Sequence, residues 1–153
     1  MSSKLLFVLV SLVGFIFCQE LQLAGNRYVV HPGPATFFEA WQQCRDFGLR
    51  LATVQSKPDS VELAEVIETS GIKPFNGAWW IAATDLGNPS FNYTWISTNK
   101  VVGYTDFADH QPDNNENNEN CLEVGRYGGV KWNDGPCTKK ISFICERFSG
   151  NGC

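Results

Sequence analysis

Apolar and polar positions follow two different periods along this chain, and the change between them divides it into halves. Over residues 26–31 the run Tyr28-Val29-Val30 is β-rich, and Pro32-Gly33-Pro34 closes it. Thr36 and Glu39 then stand at the spacing of a capping box, in which each side chain satisfies a backbone donor at a helix start. Phe37, Trp41 and Cys44 recur at helical spacing and Gly48 marks the end. Residues 49–54 form a short strand candidate. Ser56-Lys57-Pro58-Asp59 opens a second helix with an apolar stripe of Val61, Ala64 and Ile67, and Gly71 follows its end. From Trp79 onward the period shortens to two. Strand candidates are residues 79–84, 93–97, 121–125, 130–133 and 141–147, separated by polar loops. Two early helices beside antiparallel strands predict an α+β domain.

The N-terminal pattern is of a different kind. Lys4 precedes a nearly unbroken apolar run, residues 5–17, interrupted only by Ser11 and Gly14. A bilayer span needs about 20 apolar residues. A shorter run behind a positive start reads as an export signal, residues 1–18, with cleavage after Cys18; a retained anchor is the competing reading. No later stretch is long enough to span a membrane, so secretion without membrane insertion is expected. Residues 19–153 then make one domain with a core over about residues 28–148. The formal charge is −4 with no Lys/Arg run, which excludes a nucleic-acid binder. All five Trp fall after the signal, as a packed domain requires.

The six cysteines, Cys18, Cys44, Cys121, Cys137, Cys145 and Cys153, read as disulfides in an exported chain. Four cysteines allow three pairings, and the sequence does not choose among them. No Cys-x-x-Cys or His pair stands at zinc spacing. Residues 109–120 contain no aliphatic residue, and a loop this long in a compact domain is either functional or a solvated, low-complexity segment. It offers oxygen ligands at Gln111, Asp113, Glu116 and Glu119, and Asn133-Asp134 follows a short strand candidate. Hard oxygen donors of this kind suit calcium. Catalysis is not expected. Only two histidines exist and no nucleophile–base pair is readable, and a glycosidase-like carboxylate dyad would draw on the same acidic residues.

Taken in order, these motifs resemble a C-type lectin domain from about residue 28 to 148. Trp80-Ile81-Ala82-Ala83 is similar to the family's Trp-Ile-Gly-Leu strand, with Ala in the last two positions. Gln111-Pro112-Asp113 matches the sugar-specificity tripeptide, Glu119-Asn120-Cys121 follows at the family's distance, and Trp132-Asn133-Asp134 precedes Cys137. The resemblance implies a C-type lectin-like fold in short form, with two helices, small antiparallel sheets and a long calcium-binding loop. It implies disulfides Cys44–Cys145 and Cys121–Cys137, and a cis bond before Pro112. It further implies one Ca2+ held by Gln111, Asp113, Glu119, Asn133 and Asp134, with the same five residues contacting two sugar hydroxyls. A second ion is not expected, because Pro89 stands where a Glu belongs.

Gln-Pro-Asp resembles galactose-type sites, so the implied partners are galactose or N-acetylgalactosamine glycans on cell or microbial surfaces, as in innate recognition. Where galactose-selective relatives often carry a Trp, this chain has Asn115. The competing reading is the same fold binding a protein or another non-sugar surface. Cys153 has no family partner and could bridge a homodimer. Asn92-Tyr93-Thr94 is a glycosylation acceptor sequence in an exported chain.

Overall fold

The computed structural model describes residues 25–88, 90 and 92–148; the expected export signal with Cys18, and Cys153, lie outside the described residues. Helix α1, Phe37–Asp46, starts at the expected cap. The Thr36 hydroxyl accepts the Glu39 N–H at 3.4 Å, and the Glu39 carboxylate accepts the Thr36 N–H at 2.8 Å. Helix α2, Lys57–Ser70, is capped by Ser56 and ends at Gly71, whose φ of 64° is the left-handed conformation that favours glycine there. No described helix is long and apolar enough to cross a membrane.

The face that α2 buries corrects the expected stripe. Ser60, Leu63 and Val66 point inward, while Val61 is 58% exposed. A short polar side chain can enter a core when it finds a partner. Ser60 does so through the Tyr104 hydroxyl at 3.2 Å, and this turns the buried face about one residue away from the purely apolar choice.

Among the described residues, eight strands join one mixed sheet: β1 Tyr28–Ala35, β2 Arg50–Leu51, β3 Trp79–Thr84, β4 Thr94–Trp95, β5 Lys100–Val101, β6 Cys121–Val124, β7 Trp132–Gly135 and β8 Ile141–Glu146. Their order is β1-β8-β3-β4-β5, with β2 on β8, β6 on β3 and β7 on β6. Every pair is antiparallel except β3 with β8, where Trp79 lies opposite Ser142 and Trp80 opposite Phe143 in parallel. The class is therefore α+β, with one parallel pair that alternation along a single strand does not encode. Strand β1 also runs on through Pro32-Gly33-Pro34, with a register shift between His31 and Ala35. It lies at the sheet's edge, where a missing N–H leaves no gap in a ladder.

Trp80, Trp95, Trp132, Tyr28, Phe37 and Phe143 are fully buried at the centre. Trp80 donates its ring N–H to the Ala35 carbonyl at 3.0 Å. Two disulfides cross the domain. Cys44–Cys145 ties α1 to β8 across 101 residues, and Cys121–Cys137 ties the start of β6 to the chain just past β7 across 16. Closing loops of these lengths is worth about 4.7 and about 3 kcal/mol in the chain-entropy model.

At the opposite side of the sheet, the fully buried Glu146 accepts from Arg27 at 3.2 Å, from Arg50, and from the Thr53 N–H at 3.1 Å. Arg27 also reaches Asp59 at 2.8 Å, while the second Asp59 oxygen accepts the Gln55 N–H at 2.8 Å. Burial opposes ionisation of Asp59, but these donors outweigh it and hold the carboxyl below the usual aspartate value of 3.8. A depressed folded-state value means that the ionised form stabilises the fold above the unfolded value, and that this stability is lost as pH falls through the folded one. Asp59→Asn should therefore cost about 1 kcal/mol at neutral pH. In urea unfolding, the gap from the wild type should close as the pH is lowered below the carboxylate range.

Candidate metal centre

The core determines where the site residues stand. Trp132 opens β7 and is packed edge-on by Trp95, Tyr104 and Phe107, with ring centroids at 5.7, 5.8 and 5.5 Å. The Trp132 N–H donates to the Asp106 carbonyl and the Ala108 N–H donates to the Trp132 carbonyl, both at 2.9 Å. The entry to the long loop is thus bound to β7 immediately before Asn133 and Asp134. On the other side, β6 and β7 pair Leu122 with Asp134 and Glu123 with Asn133. Asp134 is fully buried and Asn133 is 5% exposed.

The loop folds over the end of β7. The Gln111–Pro112 peptide is cis. The Asp134 carboxylate accepts the Asp113 N–H at 3.2 Å and the Asn114 N–H at 2.8 Å. Glu119 accepts the Asn115 N–H at 3.1 Å, and its own N–H donates to the Asn114 side-chain oxygen at 3.1 Å. These bonds bring carboxylate oxygens of Asp113, Glu119 and Asp134 within 4.8 Å of one another. One calcium ion holds oxygens at about 2.3–2.6 Å, so two of its ligands can stand about 5 Å apart at most. The spacing fits a single ion. Gln111 Oε1 is buried without a hydrogen-bond partner, which is the state of an oxygen that awaits a cation.

The electrostatics agree with the geometry. Burial raises the Glu119 carboxyl above the usual glutamate range; the Asn115 N–H works against this, and the negative charges of Asp134 and Asp113 add to it. Burial also raises the Tyr93 hydroxyl, with Asp134, Asp85 and Glu119 adding their repulsion of a phenolate. The site therefore has excess negative charge that a divalent cation would relieve.

Of the five expected ligands, Asp113, Glu119 and Asp134 converge through their carboxylates, and Gln111 keeps a buried, unpartnered oxygen on the same loop. Asn133 lies against the Asp134 backbone, and its two N–H groups go to protein acceptors, the Glu123 carboxylate at 2.9 Å and the Asp134 carbonyl. Glu116 is exposed and stands apart from the carboxylate cluster. Nearby, Asn120 donates to Asp85 at 2.9 Å, and the Asn114 side-chain oxygen accepts the Glu119 N–H. Asn115 is exposed. Glu123 was not singled out from the sequence, although a lone carboxylate inside the run Cys121-Leu122-Glu123-Val124, all of it buried, is a legible signal.

A model of the lectin C-type domain matches residues 33–147. The chain belongs to the C-type lectin domain family. Its members bind and do not catalyse, so this lectin domain is not an enzyme. It is 36% identical over 126 residues to a C-type lectin mannose-binding isoform of Oxyuranus scutellatus, covering 80% of this chain and 77% of that one. The carbohydrate-recognition domain of the mouse scavenger receptor C-type lectin superposes with a TM-score of 0.66 at 26% identity, covering 80% and 90%. Herring type II antifreeze protein superposes with a TM-score of 0.65 at 26% identity, covering 78% and 88%.

The loop carries its shape at a cost. His110, Asn114, Glu116 and Asn117 all have positive φ, with Glu116 at 55°. Asn tolerates this region, whereas for Glu it costs about 1–2 kcal/mol. Because Glu116 lies outside the carboxylate cluster, Glu116→Gly should raise the stability of the chelator-treated lectin by about 0.5–1 kcal/mol after glycine's own chain-entropy penalty. Thermal unfolding in EDTA reads this difference.

Proposed function

We propose that this chain is a secreted, calcium-dependent lectin for galactose or N-acetylgalactosamine glycans. The observation that carries the reading is the convergence of Asp113, Glu119 and Asp134 within 4.8 Å, and the unpartnered Gln111 oxygen on the same loop supports it. Gln111, Asp113, Glu119, Asn133 and Asp134 would hold Ca2+. A bound calcium ion would supply open coordination positions for two neighbouring sugar hydroxyls. Around those positions, Asp113 and Glu119 accept hydrogen bonds from the hydroxyls and the Gln111 amide donates one. With two acceptors on one side and a neutral amide at the tripeptide's first position, the Gln-Pro-Asp motif supports a galactose-type preference. The name of the Oxyuranus relative points to mannose for that protein, so competition between the two sugars decides the preference here.

Single shallow sugar sites reach about millimolar affinity, so useful avidity needs linked copies. A homodimer bridged through Cys153 would provide two, and clustered glycans on cells or microbes would be the targets. Asn92 is exposed and stands in its acceptor sequence, which supports glycosylation there. Intact mass of the protein secreted from insect cells tests three of these readings together. An N-terminus at Gln19, a loss of mass on glycosidase treatment, and a halving of mass on reduction are expected. Full-length unmodified monomer would remove all three.

Binding to a galactose resin should require calcium and should be eluted by EDTA and by free galactose more readily than by mannose. The sign of the pH effect follows from Glu119. Its raised carboxyl in the metal-free site takes up a proton at a higher pH than an ordinary glutamate, and a protonated carboxyl is lost as a ligand. Binding should therefore weaken as pH falls toward and through the carboxylate range. Equal retention in EDTA would refute the calcium mechanism. A glycan array without hits in calcium would favour the non-sugar reading, which the likeness to an antifreeze protein keeps in view.

A further inference from the structure

Directly behind the site, Glu123 is fully buried on β6, opposite Asn133 in register. A buried carboxylate needs close cations and donors to offset the loss of water. Glu123 has three partners. Arg126 meets it with two nitrogens, Nε to Oε1 and a terminal nitrogen to Oε2 at 3.1 Å; Lys139 Nζ lies 3.5 Å from Oε2; and Asn133 Nδ2 donates to Oε1 at 2.9 Å. Gly135, at the end of β7, leaves room beside the carboxylate: a Cβ there would stand 3.5 Å from Glu123 Oε2, an ordinary contact.

The chemistry of these neighbours forces the orientation of the Asn133 amide. Its nitrogen faces the Glu123 carboxylate and the Asp134 backbone carbonyl, and both are acceptors only. A flipped amide would set Oδ1 against two oxygens. The nitrogen is therefore locked, and Oδ1 is turned away from both.

We propose that Glu123, held by Arg126 and Lys139, is a positioning residue that fixes the Asn133 amide so that its Oδ1 is presented as a metal ligand. This rests on the calcium reading above, and it assigns Glu123, Arg126 and Lys139 a role in affinity that none of them plays as a ligand. Partners of this kind behind a metal ligand set its orientation, and their loss typically lowers metal affinity by about 10–100-fold.

Two variants test the proposal. Glu123→Gln removes the charge but keeps the shape. The double variant Glu123→Gln/Arg126→Met removes the carboxylate and its closest cation together, leaving only Lys139, whose side chain is a quarter exposed and can turn to water. In EDTA the wild type should show a side-chain amide pair of Asn133 that exchanges slowly with water, and both variants should show faster exchange. Isothermal titration with calcium alone should give an affinity about 10–100-fold weaker for both variants. The midpoint of thermal unfolding in EDTA should stay near wild type for the double variant, which separates positioning from a merely structural role. A freely exchanging Asn133 amide in the wild type would overturn the proposal. So would calcium affinities within twofold of wild type in variants whose amide has been released. A wild type that takes up no calcium overturns the calcium reading itself, and this inference with it.

Discussion

Asp113, Glu119 and Asp134 are held where their charges repel one another, and the surrounding architecture is what keeps them there. Burial and like charges at this separation push carboxyl groups toward protonation, and Glu119 is raised by burial first and by Asp134 and Asp113 in addition. The scaffold resists it from three sides. Trp132, buried among Trp95, Tyr104 and Phe107, anchors the strand that bears Asp134. The Cys121–Cys137 bridge brackets β6 and β7. Backbone N–H groups of Asp113 and Asn114 close on the Asp134 carboxylate, and bonds to an ionised acceptor are among the stronger ones available. Each element would pack without the acidic cluster, but the cluster would not persist without them.

The two fully buried glutamates show how the same device serves different ends. Glu146 and Glu123 sit on different strands, and each is met by two cationic side chains and at least one hydrogen-bond donor. Around Glu146 the donors are the Thr53 N–H and hydroxyl, and Arg27 continues to Asp59 at the start of α2, so the network joins sheet to helix. Around Glu123 the donor is a side-chain amide beside the ligand cluster. Burial of a carboxylate is tolerated in both places because its lone pairs are satisfied. What differs is the group at the far end of the network: a structural cap in one case, a candidate ligand in the other.

Much of this was legible in the sequence because it depends on neighbours along the chain. The capping box at Thr36 and Glu39, the left-handed stop at Gly71 and the strand from Trp79 to Thr84 follow from local spacing. The ligand positions were legible through family motifs, since tripeptide, Glu119 and Asn133-Asp134 keep a fixed order. Other features depend on contacts between distant segments and left no local trace. The inward turn of Ser60 requires Tyr104, the parallel pairing of β3 with β8 requires their arrangement in space, and β1 passes its prolines only because it is an edge. Glu123 belongs to this group as well. Its charge is visible in the sequence, but its meaning depends on Arg126, Lys139 and Asn133 meeting behind the sheet.

Composition presents residues 109–120 as either a functional loop or a solvated, low-complexity segment, and the backbone favours the first. The N–H groups of Gln111, Asp113, Asn114, Asn115, Asn117, Asn118 and Glu119 all find protein acceptors. A segment with no aliphatic residue is therefore ordered by hydrogen bonds instead of burial. Three of those bonds end on the carboxylates of Asp134 and Glu119, which are also the candidate ligands. The groups that would take a cation are thus the groups that shape the loop around it. Protonating them removes a ligand and weakens a loop contact in one event, whereas charge neutralisation by a divalent ion relieves the repulsion and leaves the N–H bonds in place. On the calcium reading, loop order and metal affinity would be two expressions of the same carboxylates, and the positive-φ backbone at Asn114, Glu116 and Asn117 is tolerated because those bonds hold it.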